Sequence, residues 1–143
     1  MAVDLKVTQR YAESTLGKIL ENCGAKFESS FNKDTGALTI KVEDINVCGY
    51  SVLSQFMFMK DGEVYFFTLL DELDVTAENA ALAFEASTTT PLGVTIDDYL
   101  TIQLGAYLFR EEDACLMIER YFDDMIYLLK EDESIKTLLS RMH

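Results

Sequence analysis

Carboxylates are the commonest chemistry-bearing groups in this 143-residue chain, and their spacing decides what they could do. Acidic pairs stand at Glu43-Asp44, Asp71-Glu72, Asp97-Asp98 and Asp123-Asp124. A calcium loop of the helix-loop-helix kind places oxygen ligands at alternate positions of a twelve-residue run around a central glycine, and none of the pairs fits one. Asp34-Thr35-Gly36 has the letters of an aspartic protease motif, but that chemistry needs two such carboxylates sharing a proton, and the triplet occurs once. It reads as a turn. The acids Asp71, Glu72 and Asp74 are the place to look for a carboxylate-site enzyme, the class that competes with a binding module.

Nucleophiles and metal ligands are sparse. The only histidine is His143, the last residue of the sequence, and chain ends make poor supports for a catalytic pair. Cys23, Cys48 and Cys115 are widely spaced and odd in number, so reduced thiols in the cytoplasm are expected rather than a disulfide frame or a zinc site. Cys115 falls in a helix's first turn, where the dipole favours a thiolate, yet Glu111, Glu112 and Asp113 oppose this. Neither a dinucleotide-binding nor a phosphate-loop motif occurs. No catalytic residue, metal ligand or cofactor site is assigned, and the chain is not expected to be an enzyme.

Charge narrows the partners. Residues 1–60 hold seven acids and seven bases, whereas residues 61–109 hold nine acids and no Lys or Arg. The net charge of −13 therefore lies in the second half of the chain. Nucleic acid requires Lys and Arg contacts to release its counterions, so no nucleic-acid binding is expected. A basic polypeptide is the natural complement. Hydrophobic residues make up 49%, enough for a packed core and too many for a disordered acidic chain. No apolar run reaches membrane-spanning length, and Met-Ala-Val-Asp-Leu-Lys does not resemble a secretory leader. A single cytoplasmic domain, 1–143, is expected.

The elements follow from periodicity. Thr8 is expected to cap a helix from Gln9 to about Asn22, with Ala12, Leu16, Ile19, Leu20 and Cys23 on its buried stripe and Gly24 ending it. Strands are expected at Ala25–Phe31, Ala37–Val42, Gly49–Lys60 and Glu63–Leu70, with Asn32–Gly36 and Asp61-Gly62 as turns. A second helix should open at Asp74-Val75-Thr76 and run to about Ser87, stopped before Pro91. Strands near 92–96 and 99–109 come next, then a helix from Glu111 to about Lys130 and a short amphipathic tail with Ile135, Leu138, Leu139 and Met142. The order α-β-β-β-β-α-β-β-α makes this an α+β chain, with an antiparallel sheet flanked by helices.

Two surfaces have more apolar character than one core uses. The strand 49–60 carries Tyr50, Val52, Phe56 and Phe58 on one face and Leu53, Met57 and Met59 around the other. The strand 63–70 is likewise apolar on both faces, with Tyr65, Phe67 and Leu69 opposite Val64, Phe66 and Leu70. Either helices cover both faces, or one face receives a second subunit or a client segment, for which methionine and aromatic side chains are suited. In the last helix Ala114, Ile118, Tyr121, Met125 and Leu128 form one stripe, and Cys115, Phe122, Ile126 and Leu129 a second. The second stripe is either part of a wide buried face or an interface. Leu53, Met57, Met59, Cys115, Phe122, Ile126 and Leu129 are the candidate interface or client-binding residues.

The run from Gly62 to Leu73 (GEVYFFTLLDEL) resembles the strand and turn before the middle helix of class I type III secretion chaperones. Leu92 to Leu104 (LGVTIDDYLTIQL) resembles their next hairpin, and the helix 111–130 their closing helix. YbjN-like proteins offer a similar match. The middle helix, Ala77 to Ser87, lacks the Leu-Leu-x-x-Asn run of the chaperones. The resemblance implies a homodimer that holds an extended client on apolar patches, hence a chaperone or a YbjN-like regulatory adaptor.

Overall fold

The computed structural model describes residues 2–21 and 25–142. The elements run α1 (Leu5–Ile19), β1 (Lys26–Phe31), β2 (Leu38–Val47), β3 (Tyr50–Phe58), β4 (Glu63–Glu72), α2 (Ala77–Ala86), β5 (Gly93–Asp97), β6 (Tyr99–Tyr107), α3 (Asp113–Glu131) and α4 (Glu133–Ser140). This is the expected α+β order with the amphipathic tail forming a helix of its own. Asn22, Cys23, Gly24 and His143, for which the sequence suggests roles, lie outside the described residues.

The first helix begins four residues before the expected start. Asp4, not Thr8, is the cap: its Oδ1 accepts from the Lys6 and Val7 amides at 3.0 and 3.3 Å, satisfying donors that a helix start leaves open. Thr8 is buried inside the helix and donates its hydroxyl back to the Asp4 carbonyl at 2.9 Å. Glu111, just before α3, accepts from the Asp4 amide at 3.0 Å. That bond, with the other backbone amide Glu111 accepts, holds its carboxyl below the usual range.

The sheet is six-stranded, in the order β1-β2-β3-β4-β6-β5, and antiparallel throughout. β2 is longer than expected. Val42 pairs with Ser54 but Ile45 with Val52, so one extra residue bulges out at Glu43-Asp44, where Asp44 has φ 58°. β2 then reaches Val47, and Cys48 and Gly49, at φ 53° and 86°, make a tight two-residue hairpin of the kind whose twist matches paired strands.

All four helices lie on one face of this sheet. Glu13 of α1 accepts from the Ser29 hydroxyl at 2.8 Å. Ser87, capping α2, bonds the Val94 backbone in β5. The Tyr121 phenol of α3 reaches Thr68 in β4 and the Ile102 carbonyl in β6 at 2.8 and 3.0 Å. α4 packs on α2 and α3, and Asp132 caps it by accepting from the Ile135 amide at 2.9 Å. The core between the layers centres on Phe56, Phe58, Phe66 and Tyr121, whose rings meet edge to face with centroids 4.9–5.9 Å apart, a favoured aromatic geometry. No helix among the described residues is long and apolar enough to cross a membrane.

Candidate functional site

Among the described residues, the sheet face turned away from the helices carries no helix. Its composition follows from register, because directly paired residues on antiparallel strands point the same way. One row across it reads Ser30, Thr39, Met57, Tyr65, Gly105. The next reads Glu28, Lys41, Gln55, Phe67, Gln103, Gly93, and a third Leu53, Leu69, Thr101, Thr95. Leu53, Met57, Tyr65, Phe67 and Leu69 therefore form one apolar strip down the two central strands. Tyr65 is 44% exposed, and the other four are half-buried. Beside Tyr65, Gly105 supplies no side chain, and a methyl group there would meet nothing within 4 Å.

Acids stand at both ends of the strip, at the Glu43-Asp44 end beside Lys26 and Lys41. At one end Glu63 pairs across the strands with Tyr107. Its carboxylate accepts from the Tyr65 phenol at 2.9 Å and the Tyr107 phenol at 3.2 Å. The bond to Glu63, and then its charge, push both phenols above their usual range, so both stay protonated donors. At the other end a shallow depression is lined by Glu43, Asp44, Leu53, Leu69 and Tyr99 among others. The bulge at Glu43-Asp44 puts those two acids beside Leu53.

The candidate residues divide. Leu53 and Met57 lie on the open face; Met59, just past β3, is half-buried at the hairpin, where its amide donates to the Glu63 carbonyl at 2.8 Å. The second stripe of α3 is not free, and this corrects the expectation that it needs an outside partner. α1 lies on it. Phe122 and Leu129 are each 4% exposed and belong to the core. The Phe122 ring stands 5.9 Å from Phe56, so the sheet does reach it. Ile126, half-buried, packs against the same core and shares a small crevice with Ile19, Leu20, Ile45 and Val47. Cys115 is half-buried, its thiol 3.5 Å from the Tyr11 carbonyl of α1.

Asp71, Glu72 and Asp74 are all exposed at the end of β4 and beyond. Asp71 accepts from the Glu72 amide at 2.8 Å, a local turn contact. Among the described residues no group of three or more His, Cys, Asp or Glu stands close enough together to hold a metal ion. The reading from sequence missed Glu63 and Tyr107 as site residues, because they meet only through pairing between β4 and β6, 44 positions apart. No family model matches the chain, and no curated protein or solved structure matches it significantly.

Proposed function

We propose that this chain is a non-enzymatic protein-binding module, an acidic chaperone or adaptor that holds a client polypeptide on its open sheet face. The observation that carries this is the strip Leu53, Met57, Tyr65, Phe67 and Leu69, which no helix among the described residues covers, α1 to α4 all packing on the opposite face. An antiparallel sheet with one solvated face normally alternates to polar residues there, and an apolar outer face marks an interaction surface. The element order resembles class I secretion chaperones and YbjN-like proteins; a YbjN-like regulatory role is the alternative within the same class.

The stripe on α3 that suggested a homodimer is occupied by α1. Association of two copies is then left to the open face, where two chains of net charge −13 would set like charges against one another. A client of opposite charge is the better complement. The test is affinity capture with the wild-type chain and with a Leu53→Asp, Phe67→Asp variant, followed by calorimetry on the purified partner. A partner bound by the wild type and lost by a variant of unchanged melting temperature supports the reading. A partner held equally by both refutes it.

A further inference from the structure

The acidic end of the strip has a construction of its own. Glu63 sits between two tyrosines that both donate to it, and those rings are 44% and 57% exposed. Their phenols fix the carboxylate without neutralising it. Its position is fixed further by the Asp61 side chain, which accepts from the Glu63 amide at 2.9 Å. None of the ion pairs among the described residues involves Glu63. Residues 61–109 contain no Lys or Arg, so the strands β4, β6 and β5 bring no internal cation to it. A held carboxylate flanked by exposed aromatic rings is suited to a cationic side chain, which gains both an ion pair and attraction to the ring faces.

We propose that Glu63, Tyr65 and Tyr107 form a clamp for an arginine or lysine of the bound polypeptide, whose neighbouring apolar side chains lie along Phe67, Leu69, Met57 and Leu53. The gap at Gly105 lets the cationic side chain lie close to the sheet beside Tyr65. The clamp selects a segment with a positive charge at one end of an apolar stretch. At the other end Glu43 and Asp44 stand beside Leu53, but Lys26 and Lys41 share their groove, so the selection for a cation rests on the Glu63 end. A second copy of this acidic chain fits poorly for the same reason that a basic segment fits well.

The inference rests on the open face being a polypeptide-binding surface, and the experiment separates the two. A random library of short displayed peptides is selected on the wild-type chain. Enriched peptides are then titrated by fluorescence anisotropy against wild type, Glu63→Gln and Tyr107→Leu. The expected binders carry Arg or Lys beside aliphatic or aromatic residues, and both variants bind them about tenfold more weakly with unchanged urea melts. Binders without a cation, or binders that Glu63→Gln holds as tightly as wild type, overturn the clamp while leaving the face. A library that yields no binder, or binders indifferent to Leu53→Asp, overturns both. A wild-type dimer that Leu53→Asp splits into monomers puts a second copy on this face and also overturns the proposal.

Discussion

The Tyr121 phenol lies 2.8 Å from the Thr68 hydroxyl, the middle link of a buried chain of hydrogen bonds in which every proton has one direction. Tyr121 also reaches the Ile102 carbonyl at 3.0 Å, and Thr68 reaches Ser54 at 2.8 Å. A carbonyl can only accept, and each hydroxyl has one proton. Tyr121 must therefore donate to Ile102, Thr68 to Tyr121 and Ser54 to Thr68. All three side chains are fully buried. The chain ties α3 to β3, β4 and β6 at one point and leaves no orphan among its members.

Removing the Tyr121 hydroxyl should cost more than one hydrogen bond. Tyr121→Phe leaves the Thr68 proton and the Ile102 carbonyl facing an apolar ring edge, a loss of about 1–3 kcal/mol. Urea unfolding of Tyr121→Phe, Thr68→Val and the double variant should show strong coupling between the two. Additive losses would mean that the contact does not act as a unit.

The same tyrosine predicts a pH dependence. Burial raises its folded-state phenol well above the usual 10.0, an effect that the Thr68 bond partly offsets. A raised folded pKa contributes stability that is complete below the unfolded value of about 10 and lost as pH rises beyond it. Urea midpoints should fall more steeply above pH 10 for wild type than for Tyr121→Phe. Parallel falls would assign the alkaline loss to other groups.

Carboxylates introduced on opposite sides of the sheet should behave differently. Phe122→Asp replaces a core ring packed near Phe56 and should lose at least about 3–5 kcal/mol. Leu53→Asp stands on the open face and should change stability by less than about 1 kcal/mol. Thermal melts by circular dichroism give both values directly. A Leu53→Asp variant that unfolds as readily as Phe122→Asp would show that the open face is structural.

Gly62 should tolerate no side chain. It has φ 98°, and a methyl group there would lie 2.7 Å from the Leu108 carbonyl oxygen. Its own carbonyl accepts from the Leu108 amide at 2.7 Å, so neither backbone can retreat without losing a bond. Gly62→Ala should destabilise by about 1–3 kcal/mol, read as a shift in urea midpoint. Unchanged stability would mean that the β3–β4 turn can take another conformation.

Periodicity made most of the fold legible and misled in three places, each for a local reason. Strand 38–47 looked as though it ended at Val42, because the bulge at Asp44 breaks the alternation and puts Ile45 three positions after Val42 on the same buried face. The first helix looked capped at Thr8, because Thr8 is itself a good cap residue; Asp4 only showed its role once its carboxylate met two amides. The stripe Cys115, Phe122, Ile126, Leu129 was correctly read as apolar, but α1 provides the cover, and helix-to-helix contact leaves no mark on either helix's own period. The apolar strip on β3 and β4 was visible as a face of each strand. Its end at Glu63, Tyr65 and Tyr107 was not, since cross-strand register is a property of two distant segments.

Ser87 has a consequence for how the sheet can be extended. Its Oγ accepts from the Val94 amide at 2.9 Å and stands 3.2 Å from the Val94 carbonyl, while also reaching the Ala83 carbonyl at 2.9 Å. These are groups on the outer edge of β5 that another strand would otherwise recruit, and unpaired edges are where chains add to one another. In a five-residue strand only every second residue points outward, so one hydroxyl blocks much of the available template. Growth of the sheet by a foreign strand is thereby discouraged at β5 and is left to the far edge, at β1. Replacing Ser87 with alanine would leave the Val94 amide and carbonyl open to another strand.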